Sequence, residues 1–156
     1  MIGILAQVDG CIVTVACGKG DALAILQRTQ RESFPDSAVL GFHDPDDFPS
    51  YRFRDCWRWV SGALAVDMTL AREQRLSEIR ADRAWRFGPL DAQWMRALGQ
   101  GKAAEAAAVE AKRQTLRVIP QMMLGVIPLD GVTLTRTLAD CKTPDDIATL
   151  EPTWPE

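Results

Sequence analysis

The sequence holds one histidine, His43, and one tyrosine, and its four cysteines are scattered at positions 11, 17, 56 and 141. With no C-x-x-C pair, the ligand spacing of a structural zinc site is missing. Cys11 and Cys17 lie six apart on one extended run, about 20 Å from each other against the ~6 Å a disulfide spans. Isolated cysteines of this kind read as small buried apolar residues. A lone histidine also narrows catalysis, because any Ser-His-Asp or Cys-His constellation has to recruit His43. It stands in Gly41-Phe42-His43-Asp44-Pro45-Asp46-Asp47-Phe48-Pro49, where proline and aspartate read as loop punctuation. Asp44, Asp46 and Asp47 lack the alternation and terminal glutamate of a calcium loop. No metal or cofactor is expected, and an enzyme built on the His43 loop is a remote alternative.

No apolar run approaches the roughly 18 residues of a membrane span. The opening Met1-Ile2-Gly3-Ile4-Leu5 lacks the charged and apolar regions of a signal peptide, so synthesis and retention in the cytoplasm are expected. Strong positive charge is missing too. A net charge of −3 gives no electrostatic footprint for nucleic acid. An apolar fraction of 47% with 25% charged residues is that of a folding globular chain.

Residues 1–67 read as a small α+β domain with two hairpins and one helix. Asp9-Gly10 separates two apolar runs, a hairpin signal. Asp21 is placed to cap a helix that Pro35 stops. The loop Gly18-Lys19-Gly20 matches neither phosphate-binding spacing and reads as a tight turn. From Tyr51 to Val60 the residues alternate, with Tyr51, Phe53, Trp57 and Trp59 on one face of a predicted strand and Arg52, Arg54 and Arg58 on the other. A strand that separates rings from arginines does not suit nucleic acid, where both share a face. Ser61-Gly62 then turns into a second hairpin.

Beyond Asp67 the period becomes helical over 68–119, expected as an antiparallel helical hairpin that completes an α+β fold. One helix is expected from Asp67 to Gly88-Pro89, a shorter one through Leu90, Trp94, Ala97 and Leu98, and an alanine-rich third over 102–117. Leu76 and Ile79 are followed on their face by Arg83, so burying that face requires carboxylate or backbone partners for the arginines. Residues 120–156 read as an irregular arm or hairpin, since Pro120 and Pro128 argue against a helix. Thr143-Pro144-Asp145-Asp146 opens a short terminal helix. Residues 69–117 carry ten basic and six acidic side chains, residues 118–156 two and six.

The order Phe53-Arg54-Asp55-Cys56-Trp57, Val66-Asp67-Met68, Ala71-Arg72-Glu73, Ile79-Arg80-Ala81-Asp82-Arg83, Trp94-Met95-Arg96-Ala97, Arg113-Gln114-Thr115-Leu116-Arg117 and Thr143-Pro144-Asp145-Asp146-Ile147, with Trp154-Pro155, resembles a family of small tail-module proteins of tailed bacteriophages and prophages. The resemblance covers about residues 53–155. Two departures stand out: Val118 where members have aspartate, and an apparent insertion over 122–136. Family genes lie among tail and tail-fibre genes. The resemblance therefore implies a non-enzymatic virion component, located in the tail and made in the host cytoplasm. Its implied partners are other tail or fibre proteins and either copies of itself or a symmetric virion ring, with no nucleic acid or membrane. The alternative is a fibre-assembly chaperone that is not retained in the particle. Candidate partner-binding residues are Arg80, Arg83, Arg86, Trp94 and Trp154, because arginine forks pair with carboxylates and tryptophans anchor interfaces.

Overall fold

The computed structural model describes residues 2–6, 12–16, 21–44, 48–125 and 136–155. The protein is α+β and divides into two compact units, Met1–Ala71 and Arg72–Glu156.

In the first unit, β1 (Ile2–Ala6) and β2 (Ile12–Ala16) pair antiparallel with Gly3 opposite Val15. The predicted Asp9-Gly10 turn lies outside the described residues. Helix α1 (Ala22–Ser33) starts where the Asp21 carboxylate accepts from the Ala24 N–H at 3.1 Å. A strand absent from the sequence reading follows. β3 (Ala38–His43) pairs antiparallel with the free edge of β1, giving the order β2-β1-β3. The backbone groups along β1 need partners on both edges, and this demand overrides the loop character of Gly41 and His43. Gly41 sits at the register shift between Ile4 and Leu5 with φ 144°, a backbone geometry that favours glycine. Gly3 lies between Val15 and Phe42 across the sheet, directly beneath the fully buried Leu26 of α1. A Cβ at Gly3 would stand 2.7 Å from Leu26 Cδ1, so the missing side chain is what lets helix and sheet approach. Val13, Val15, Ala22, Ile25, Phe34 and Phe42 complete this core.

The predicted strand over 51–60 is half right. Residues Tyr51–Cys56 form two short 3₁₀ turns joined at a kink at Phe53 (φ −108°, ψ 32°), and only Trp57–Val60 (β4) is extended. In a 3₁₀ turn positions three apart share a face, which places Phe53 and Cys56 together in the interior. Tyr51 moves to the outside, where its ring meets Trp57 edge-on at 5.2 Å while Phe48 stacks on Trp57 at 5.4 Å. The second hairpin is present: β4 pairs with β5 (Ala63–Val66) through Ser61 and Gly62, both at positive φ as a two-residue hairpin turn requires.

Helix α2 (Met68–Gly99) opens on the Asp67 carboxylate, which accepts from the N–H groups of Thr69 at 2.9 Å and Leu70 at 3.2 Å. It is one helix where two were expected. Pro89 lies inside it, and Gly88, lacking a Cβ, removes the clash that a proline ring makes with the preceding side chain. The helix ends as expected at Gly99-Gln100-Gly101. Gly101 at φ 69° lets its own N–H reach the Leu98 carbonyl and that of Lys102 the Ala97 carbonyl, a paired C-terminal cap.

Helix α3 (Ala103–Met123) runs six residues past its expected end, through Pro120. A proline inside a helix costs about 3 kcal/mol. The burial of Leu116, Ile119, Met122 and Met123, at ~1.5–3 kcal/mol for each such side chain, outweighs it. Met122 and Met123 are therefore core. Residues 126–135, the middle of the inserted stretch, lie outside the described residues. A 3₁₀ turn (Leu138–Asp140) and α4 (Pro144–Thr149) follow, each opened by a capping box, on Thr137 and on Thr143. Leu138, Cys141, Ile147 and Leu150 are buried.

Candidate protein-binding surface

Five of the six arginines of α2, all but Arg96, fall into three groups by the partners they meet. Arg72 and Arg75 share the buried face with Leu76 and Ile79. Arg72 donates from Nε to the Leu138 carbonyl at 3.0 Å and from Nη2 to the Cys141 carbonyl at 2.9 Å. Arg75, only 3% exposed, spends two donors on the Leu150 carbonyl, at 3.1 and 2.8 Å, and pairs with Glu78 at 2.8 Å and Glu151 at 2.5 Å. These two side chains attach the acidic C-terminal segment to the helix through its backbone. They were not among the predicted site residues. The signal for them was the apolar face itself, whose arginines demanded backbone or carboxylate partners.

Arg83, half-buried, and Arg86, exposed, also meet groups of their own unit. Arg83 Nη1 donates to the Arg117 carbonyl at 3.4 Å, while its Nε is buried without a hydrogen-bond partner. The Arg86 guanidinium lies over the Trp154 ring at 4.4 Å, and that of Arg113 over Trp94 at 4.8 Å. Arg113 also pairs with Glu110 and stands 2.8 Å from Asp91, an ionic contact without hydrogen-bond alignment. Four of the five predicted partner residues, Arg83, Arg86, Trp94 and Trp154, thus meet groups of their own unit. Arg80 is exposed and forms no ion pair among the described residues.

The charged clusters lock the unit internally. The Arg117 hydrogen bond, aided by Arg113 and opposed by desolvation, holds Glu110 below its ordinary value. Arg136, 2.6 Å from Asp146, joins the backbone and hydroxyl donors of Thr143 and the Lys142 N–H in holding the Asp146 carboxyl far below the carboxylate range. Cys56 and Cys141 are buried thiols, and desolvation pushes the Cys141 thiol up, away from the thiolate a nucleophile needs. Among the described residues no group of three His, Cys, Asp or Glu is placed to hold a metal. No described helix is long and apolar enough to cross a membrane. The His43 side chain, Asp46, Asp47 and the Gly18-Lys19-Gly20 loop lie outside the described residues, while Asp44 is exposed.

The outward side of α2 is unlike an ordinary solvated face. Ala81, Ala84, Trp85, Gly88, Ala92 and Met95 recur there at helical spacing, all of them exposed. Trp85 is 84% exposed and Met95 62%, and Trp85 borders a shallow cleft floored by Ala81, Ala84 and Gly88. A large aromatic beside a hollow is a usual mark of an interface, and here it is formed by residues outside the predicted set. Compared with known family models, curated proteins and solved structures, the chain matches none.

Proposed function

We propose that this chain is a non-enzymatic structural protein of a bacteriophage tail, working through protein–protein contacts made by its helical unit. The observation that carries the contact role is the apolar outer face of α2, from which Trp85 projects. A helix that already buries one side in its own unit exposes such a face at a cost in solubility, and large exposed apolar patches mark interaction sites. The tail assignment is supported by the resemblance of residues 53–155 to phage tail-module proteins. Mass spectrometry of purified particles tests it: the chain is expected in the virion at constant copy number. Absence from particles, together with misfolded fibres when the gene is deleted, would replace this reading with the assembly-chaperone alternative.

A further inference from the structure

We propose that two copies of this chain pair antiparallel through the outer faces of α2, with Trp85 of each copy seated over Gly88 of the other. The inference rests on the reading of the chain as a protein-binding component.

The face is complementary to itself. Trp85 is its one large projection, and Gly88, above which an added Cβ would meet nothing within 4 Å, is its hollow. Antiparallel pairing about a two-fold axis near residue 86 sets Trp85 and Ala84 opposite Gly88, Ala81 opposite Ala92, and Ser77 opposite Met95. Every contact then occurs twice. Parallel pairing in register instead sets Trp85 against Trp85 and Gly88 against Gly88, projection on projection and hollow on hollow.

The charges flanking the face select the same arrangement. At 100° per residue, Arg80 and Asp91 fall along one edge of the apolar face, Glu78 and Arg96 along the other. In an antiparallel pair each edge meets its own counterpart, so Arg80 faces Asp91 and Glu78 faces Arg96, twice each. Asp91 keeps about half of its side chain exposed beside Arg113 and can serve both cations. Arg80, which has no ion pair among the described residues, gains one.

Sedimentation velocity of the full chain tests the pairing, with a concentration-dependent dimer expected below about 200 µM, the affinity range of weak specific association. Trp85→Glu, at an exposed site, is expected to leave the circular dichroism unchanged and weaken dimerisation by ~30-fold or more. Arg80→Asp weakens it by about 5-fold, whereas Arg80→Lys, which keeps the charge and leaves the Asp91–Arg113 contact untouched, holds it within about 2-fold. Orientation is read by cross-linking: an Ala81→Cys chain mixed with an Ala92→Cys chain is expected to cross-link above the wild-type background, while Ala81→Cys alone does not. A wild-type monomer at 200 µM, an unchanged Trp85→Glu dimer, or preferential Ala81→Cys self-linking would overturn the proposal. A chain that dimerises but is missing from particles sinks the tail assignment alone, and a chain found in particles but monomeric in solution sinks the pairing alone.

Discussion

Replacing Arg75 by methionine separates two accounts of how the C-terminal segment is held. Its guanidinium donates twice to the Leu150 carbonyl and touches two carboxylates, Glu78 and Glu151, which are 34% and 63% exposed. In Arg75→Met the hydrocarbon stem survives and both carboxylates rehydrate, so little is lost from the ion pairs. The Leu150 carbonyl loses its two donors inside a buried residue, which costs about 1–3 kcal/mol. Relief from burying a guanidinium offsets part of that penalty. A net loss of about 2 kcal/mol is expected, equivalent to roughly 8–16 °C in Tm for a unit of this size. Arg75→Lys keeps one bond and is expected to cost about half as much, whereas Arg75→Ala adds a packing defect and exceeds both. Glu151→Gln is expected to cost no more than about 0.5 kcal/mol. Urea unfolding followed by circular dichroism and tryptophan fluorescence measures all four. If Arg75→Met lies within 0.5 kcal/mol of wild type, or Glu151→Gln matches it, carbonyl recognition is not the attachment.

Three further outcomes follow from the same structure. Gly3→Ala drives a Cβ into Leu26 and is expected to destabilise the first unit by about 1–3 kcal/mol, with most of the penalty gone in a Leu26→Ala background; additive penalties would refute the contact. Asp146 has a lowered pKa, so its contribution is complete above its ordinary value of 3.8 and is lost as pH falls below it. Asp146→Asn should therefore be less stable than wild type at pH 7, and the gap should narrow between pH 4 and pH 2 in acid-unfolding curves; a constant gap would contradict the sign. The cation–π contact between Arg86 and Trp154 should give a coupling of about 0.5–1 kcal/mol in a double-mutant cycle of Arg86→Ala with Trp154→Ala, and zero coupling would dismiss it.

Local chemistry was legible where a few adjacent residues decide it. Asp21 and Asp67 cap their helices, Ser61-Gly62 turns the second hairpin, and the box of Thr143 and Asp146 opens α4, each within four residues of sequence. Three features were not legible because distant partners determine them. β3 exists through the open edge of β1, more than thirty positions away. Pro89 and Pro120 lie inside helices because burial along the rest of each helix exceeds a local penalty that the proline itself signals. The 3₁₀ turns over Tyr51–Cys56 hid behind an alternation that fits two periods at once, since Phe53 and Cys56 satisfy the spacing of three. For the candidate surface, charge drew attention to Arg83 and Arg86, which the unit uses internally, while the outward position of Trp85 depended on knowing that α2 does not stop at Gly88.

The bonds from Arg72 and Arg75 to the carbonyls of Leu138, Cys141 and Leu150 also set an order of events during synthesis. α2 and α3 are synthesised before any of those carbonyls exists. Until residue 150 is free, the helix presents two unmatched guanidinium groups amid apolar side chains, which favours keeping that face wet. Synthesis through Leu150 supplies the acceptors and dries the face in one step. A chain released early, ending before Leu138, should consequently retain helices but lack a fixed core, so that partner binding by the unit has to await synthesis of residues 138–150.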